Sequence, residues 1–327
     1  MLSEPQADAI LKDWRSKQWY YSIEICPGVY TKGFEFNNIA LTRQMLANVD
    51  VKGRRVIDIS AMEGTISTEM AKQGATVMST DAIDRTPQIT LVKAAHGVEF
   101  DYFPDVPLHR LAEYIFEVQA SKSYSHGATI GPSAQTPFGF DVVVSSGVMY
   151  HVMNPVDHFM TYRKLCKLGG VVILETAACI SDNVSFVHAM RPTGTLYNGY
   201  ATWFMTTAAI DLFLRASYLE PLAFGFVSRE KVADIEIARV GVLSRAIEAP
   251  AFRAGSYARF DEVFRSELYN NKDFSMLAPS ALLTGNVSRP LDIRAEGLNL
   301  VKEGLTVARI DGAESLRYTE RDVRLSL

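Results

Sequence analysis

Apolar runs of strand length alternate with helical patterns through most of this chain. RVIDIS (55–60), ATVMSTDA (75–82), VEFDYF (98–103), FDVVVSSG (140–147) and GVVILETA (170–177) are strand candidates. Between them fall helical stretches: TISTEMAKQG (65–74), residues 87–95, residues 107–121 and VDHFMTYRKLCKLG (156–169). Continuous Val/Ile runs mark strands buried on both faces, and strand–helix alternation makes such strands parallel neighbours. A helix over 207–217 and strands near 222–228 and 236–245 complete the set, the last two as an antiparallel edge. The expectation is an α/β, Rossmann-like, doubly wound sheet of seven mostly parallel strands.

Three regions follow. Residues 1–52 form an N-terminal arm. It holds a helix over 4–18, an aromatic loop beginning WYYSIEICPGVY at Trp19, and a helix over 38–50. Residues 53–248 form the α/β core. Residues 249–327 form a C-terminal extension with helical pieces near 259–268 and 293–303. An extension of this size implies packing against the core or a second subunit, and a homodimer is expected.

The charge balance narrows the partners. Lys plus Arg is 33 and Asp plus Glu is 37, a net charge of −4. A general nucleic-acid binder needs a basic surplus, so a small-molecule substrate is favoured over nucleic acid. Cys26, Cys166 and Cys179 are spaced for neither a disulfide framework nor zinc, and no metal is expected. The polar N-terminus and the lack of a membrane-length apolar run point to a cytoplasmic protein without a membrane partner.

The turn after the first core strand, ISAMEGT, carries one glycine, Gly64, with Ser60, Met62 and Glu63 where more glycines are expected of a nucleotide loop. Pyrophosphate must approach the backbone closely, and a carboxylate at Glu63 would repel it. That argues against NAD and ATP. It suits a nucleoside that has no phosphates and carries positive charge, as S-adenosyl-L-methionine does. Asp81, seventeen positions after Gly64, can accept from both ribose hydroxyls. Asp58 can orient the methionine end, directly or through water. Both aspartates could instead cap turns.

VIDISAMEG…TDAID resembles motifs I and II of class I S-adenosylmethionine-dependent methyltransferases. The nearest resemblance is to the tRNA (mo5U34) methyltransferase-like branch, whose loop reads DIGTWDG. FDVVVSSGVMYHVMNPVDHF…KLGGVVILET is similar to that branch's FD-x-V-x-S-x-GVLYH…P-x-x-H…GG-x-LVLET, and WYYSIEICPGVYTKG to its aromatic entry segment. The resemblance implies a methyltransferase with S-adenosyl-L-methionine as cofactor. Asp58, Ser60, Glu63, Gly64, Asp81, Ser146 and Tyr21 are the cofactor-side candidates. Val152 and Met153 stand where the tRNA-modifying members carry basic residues.

Tyr150 and His151, after the fourth core strand, are the catalytic candidates, placed to face the transferred methyl. An imidazole, with an ordinary pKa of about 6.5, can act as general base or can position a substrate carboxylate. The aromatic segment reads as a lid or as a packed arm. Arg191, Tyr200 and Trp203 in the insertion after the fifth strand, with Tyr30 and His151, form the substrate-side set. Tyr197, Glu175 and His188 are further candidates. A cation with aromatic walls suits a small carboxylate. The leading expectation is methyl transfer to a small polar metabolite, one version being the thioether sulfur of a methionine-like amino or hydroxy acid. The alternatives are a tRNA wobble-uridine methyltransferase and a non-catalytic S-adenosylmethionine-binding regulator.

Overall fold

The computed structural model describes residues 19–31, 37–117, 139–181, 201–232 and 235–247, residues 3, 5, 33 and 185–188, and pairs at 190–191, 194–195, 294–295 and 298–299. The expected helices over 4–18 and 259–268 lie outside the described residues.

The arm opens with strands β1 (Glu24–Cys26) and β2 (Val29–Tyr30), a short hairpin, followed by helix α1 (Asn37–Leu46). The core then runs β3 (Arg55–Ile59), α2 (Thr65–Lys72), β4 (Thr76–Thr80), α3 (Thr86–His96) and β5 (Asp101–Phe103). After a helical stretch over 111–117 come β6 (Phe140–Ser146), α4 (Pro155–Leu165) and β7 (Cys166–Cys179). Short strands β8 (Phe186–His188), β9 (Met190–Arg191), β10 (Gly194–Thr195) and β11 (Trp203–Thr206) form the insertion. Helix α5 (Thr207–Ala216) and strands β12 (Leu219–Val232) and β13 (Ile235–Ala246) close the core.

The sheet order is β12-β13-β7-β6-β3-β4-β5. Neighbours from β7 to β5 pair in parallel, while β13 runs antiparallel to both β7 and β12. Seven strands therefore make the expected ladder. The insertion adds two more, because β11 pairs in parallel with the end of β7 and β8 pairs with β11.

Alternate residues of each strand feed opposite layers, as a period of two requires. Ile57, Val143, Val172 and Val242 pack with Phe159 and Tyr162 of α4 and Ile210 of α5. Val56, Val142, Val171 and Leu243 pack with Leu41 and Met45 of α1, Ile66 and Met70 of α2, and Ile89 of α3. Helix α1 lies so close to β13 that a Cβ at Gly241 would meet Leu41 Cγ at 2.8 Å. That approach seats residues 37–46 as a layer of the core.

Two expectations are corrected. The helix read over 156–169 stops at Leu165, and Cys166 already pairs with Phe140 of β6. The strand begins there because Gly170 tucks beneath Cys166 Sγ and Asp141 O, 2.8 and 2.9 Å from where a Cβ would stand. A side chain would block that approach. Within 293–303, read as helical, residues 294–295 and 298–299 instead form an antiparallel strand pair, β14 and β15. The two residues between them in sequence include a glycine, and a two-residue glycine connection favours a hairpin.

His158 of α4 is buried, stacked edge-on against Tyr162 at 4.8 Å between ring centroids. Its Nε2 has no hydrogen-bond partner among the described residues, and burial pushes its pKa down from 6.5 to about 4. The unfolded chain therefore takes up this proton first as pH falls. His158 costs nothing above about pH 6.5 and destabilises progressively down to pH 4, by up to about 3 kcal/mol. Urea melts at pH 7.5 and 5 should show His158→Phe gaining stability relative to wild type only at the lower pH. An equal difference at both would contradict this.

Candidate functional site

Strand β3 ends at Ile59, and the chain must reach α2 at Thr65 within five residues. It does so with positive φ at Ser60 (57°), Met62 (50°) and Gly64 (76°). Left-handed backbone disfavours a residue with a Cβ by about 1–2 kcal/mol. Ser60 and Met62 thus adopt a glycine-like loop without glycine. Gly64 is required twice over, since a Cβ there would also stand 2.7 Å from Ile89 Cδ1. Such strain persists where surrounding structure fixes it, and it gathers at functional sites.

The fixing contacts are specific. Ala61 N donates to Thr80 O at 3.0 Å, and Gly64 N to Ala61 O at 2.8 Å. Asp81 Oδ2 accepts from Met62 N at 2.8 Å and Oδ1 from Ile83 N at 2.9 Å. Asp81 therefore caps the turn after β4, as its sequence position allowed, and also braces Met62 of the loop, which the sequence did not reveal. Each carboxylate oxygen keeps a second acceptor site, so the brace is compatible with binding ribose hydroxyls. Burial raises its pKa, against the pull of those amides and of Arg85.

Asp58 lies in β3, 2% exposed. Ser67 of α2 donates to it at 2.5 Å and shares a 2.7 Å hydrogen bond with Ser79 of β4. Burial pushes its pKa up to about 7, and the nearby Asp81 charge adds to the rise. Near neutrality this carboxyl is poised between its two forms, and a cation brought beside it would favour the ionised one.

Glu63 is 0% exposed. Its Oε1 accepts from the backbone N of Tyr20 at 2.8 Å, and Arg85 Nη1 stands 3.9 Å away. The aromatic segment is thereby joined to the loop. Trp19 and Tyr21 are buried in the same cluster as Val56, Ile66 and Ile89, whereas Tyr30 is 53% exposed.

On the other side of β3, the ends of β6, β7 and β13 carry a buried polar chain. Thr42 of α1 and Ser146 of β6 share a hydrogen bond of 2.8 Å, and Ser146 Oγ donates to Glu175 Oε2 at 3.3 Å. Arg239 of β13 grips Glu175 with Nε to Oε1 and Nη2 to Oε2, both at 2.6 Å. The Arg239 guanidinium also lies 5.0 Å from the Tyr150 ring centroid, and the Tyr150 and His151 rings are 4.2 Å apart. Tyr150 is buried and His151 exposed, in a single 3-10 turn, Met149–His151. Arg239 was missed in the sequence, where it is one arginine in a strand near the sheet's end, between β12 and β7. The only available signal was its place in an otherwise apolar run.

The structure thus brings Asp58, Ser60, Glu63, Gly64 and Asp81 together with Tyr21 around one loop. It links Ser146 to Tyr150 and His151 through Glu175 and Arg239. Trp203 begins β11, half-buried, opposite His188. The backbone of Arg191 pairs with Gly194, but its side chain lies outside the described residues, as do Tyr197 and Tyr200.

The comparisons follow this geometry. A family model described as a methyltransferase domain matches residues 33–223. A ubiquinone biosynthesis O-methyltransferase from Roseobacter denitrificans is 28% identical over 188 residues, 55% of this chain and 65% of that protein. A tRNA U34 carboxymethyltransferase from Pseudomonas savastanoi pv. phaseolicola is 25% identical over 170 residues, 51% of this chain and 46% of that protein. The chain therefore spans less than two thirds of either relative. Among solved structures, the N-terminal domain of EvdMO1, determined in the presence of SAH and D-fucose, is similar at 15% identity. It aligns with a TM-score of 0.47 over 75% of this chain and 98% of that one.

The Glu175–Arg239 pair should behave as a buried ion pair. Arg239→Met leaves an uncompensated carboxylate and should cost about 3–5 kcal/mol in urea unfolding. Adding Glu175→Leu to that variant should return much of the loss. A double variant less stable than Arg239→Met would show that the charges are not compensating each other.

Proposed function

The chain belongs to the methyltransferase-domain family, among the class I S-adenosylmethionine-dependent methyltransferases, and on that premise we propose that it methylates a small polar metabolite. The observation that carries the cofactor half of this reading is the loop 60–64. It has the backbone of a nucleotide loop, yet a buried carboxylate stands where phosphates would have to approach. Carboxylates at Asp58, Glu63 and Asp81 suit a cationic nucleoside without phosphates. Asp81 would accept from the ribose, Asp58 would face the ammonium group, and Ser60, Gly64, Ser146 and Tyr21 would complete the wall. The cofactor supplies an electrophilic methyl group.

The residues of this chain then have two tasks. They hold the acceptor in line, about 3 Å from the methyl carbon, and they exclude water. Tyr150 and His151 follow β6 at the carboxyl edge of the sheet, where ligands of such folds bind. His151 serves as base for an oxygen or nitrogen acceptor. For a thioether it only positions the substrate, because sulfur attacks without losing a proton. The thioether version rests on the residue types Arg191, Tyr200 and Trp203 in the insertion. The net charge of −4 favours a small acceptor over tRNA. The similarity to tRNA U34 carboxymethyltransferases keeps transfer to a wobble uridine as the second reading. The division into an arm (1–52), a methyltransferase core (53–248) and a C-terminal extension (249–327), the cytoplasmic location and a homodimer built on the extension belong to the same proposal. No helix among the described residues is long and apolar enough to cross a membrane.

Two measurements test this. With methyl-labelled cofactor, the protein should transfer label to members of a panel of amino and hydroxy acids and not to tRNA. Label in tRNA alone would overturn the small-molecule reading. Cofactor binding should also be proton-linked. Asp58 titrates at about 7 without ligand, and a cationic ligand needs its carboxylate. Affinity should therefore fall about tenfold per pH unit below 7 and level off above it. Calorimetry giving a flat affinity from pH 5.5 to 8.5 would remove Asp58 from the cation site.

A further inference from the structure

Glu63 is an expensive residue for its place. A buried carboxylate stabilises a fold only when its oxygens are satisfied. Here Oε1 has the Tyr20 amide, but Oε2 is buried with no hydrogen-bond partner among the described residues. Arg85, at 3.9 Å from Oε1, compensates the charge only in part. Glutamine would keep the Tyr20 bond without burying charge. Anchoring alone therefore does not account for a glutamate.

The segment on the other end of that bond is a built unit. The Thr31 hydroxyl donates to Tyr21 O at 2.8 Å and accepts from Ile23 N at 2.8 Å, while Thr31 N donates to Ile23 O at 2.9 Å. Gly33 lies against the Tyr21 backbone too closely for any side chain. Trp19, Tyr21 and Ile23 are buried beside α2 and α3 residues. Tyr20 N donates to Glu63 across 43 positions of sequence, and the Tyr21 amide also acts on the carboxylate, so backbone amides of this unit are tied to the strained loop.

We propose that Glu63 couples cofactor binding to the seating of the N-terminal arm: its Oε1 pins residues 19–31 onto the loop, and the charge left at Oε2 favours a cationic ligand there. The inference rests on the cofactor reading above. It gives Glu63, a cofactor-side candidate, two separable duties: pinning the arm and favouring positive charge in the ligand. By linkage, a ligand that favours the charged, anchored carboxylate also favours the seated arm.

The test separates the two duties and uses the full chain. S-adenosylmethionine carries one more positive charge than S-adenosylhomocysteine, so the pair of ligands reads the charge. In the wild type, S-adenosylmethionine should slow amide hydrogen exchange in residues 20–31 about tenfold. Glu63→Gln keeps an acceptor for Tyr20, so arm exchange without ligand should match wild type. Its affinity for S-adenosylmethionine should fall about tenfold more than its affinity for S-adenosylhomocysteine. Glu63→Ala should raise arm exchange about tenfold and abolish the further protection by ligand. Exchange in β3 and β6 serves as the control for folding. If Glu63→Ala does not fold, Glu63→Gln alone decides. Equal losses for the two ligands in Glu63→Gln, or wild-type arm exchange in a folded Glu63→Ala, would overturn the coupling. A wild type that binds neither ligand would instead overturn the cofactor reading itself.

Discussion

The turn from β3 into α2 demands left-handed backbone at positions 60, 62 and 64, and only the last is glycine. Everything around the site serves to hold that turn. Asp81 ties Met62 to the carboxyl end of β4. Gly64 fills the one place where a side chain would strike α3. Glu63, between left-handed Met62 and Gly64, reaches the N-terminal arm. The strain is about 1–2 kcal/mol at each non-glycine position, and a handful of hydrogen bonds of ordinary strength offset it. A carboxylate is thereby fixed, buried, within the turn.

The sheet gives this turn its functional position. β3 lies between β4 and β6, so its carboxyl end borders both Asp81 and the Tyr150–His151 turn. On one side stand the carboxylates suited to a cationic nucleoside. On the other, Glu175 and Arg239 support Ser146 and Tyr150 from below. Both groups lie at the carboxyl end of neighbouring strands.

Much of this was legible in the chain itself. Continuous Val/Ile runs and their spacing led to the order of strands and helices, because burial on both faces leaves no other pattern. Asp58 and Asp81 stood out because each interrupts or ends an apolar run, and Gly64 as the one glycine of the turn between strand and helix. Three things were not legible. The end of α4 at Leu165 depends on the pairing of Cys166 with Phe140, a contact made 26 positions away. The hold of Asp81 on Met62, beyond the turn capping the sequence allowed, depends on a backbone amide, which leaves no mark on residue identity. Arg239 acquires meaning only when β13 inserts beside β7 and faces Glu175.

The central claim is that this loop selects a cationic nucleoside and rejects phosphates. Calorimetric titration of the unmodified protein with S-adenosylmethionine, NAD and ATP, under one set of conditions, tests it most directly. Binding of S-adenosylmethionine with no heat from the other two is the expected result. Saturable binding of NAD or ATP, with none of S-adenosylmethionine, would contradict the account.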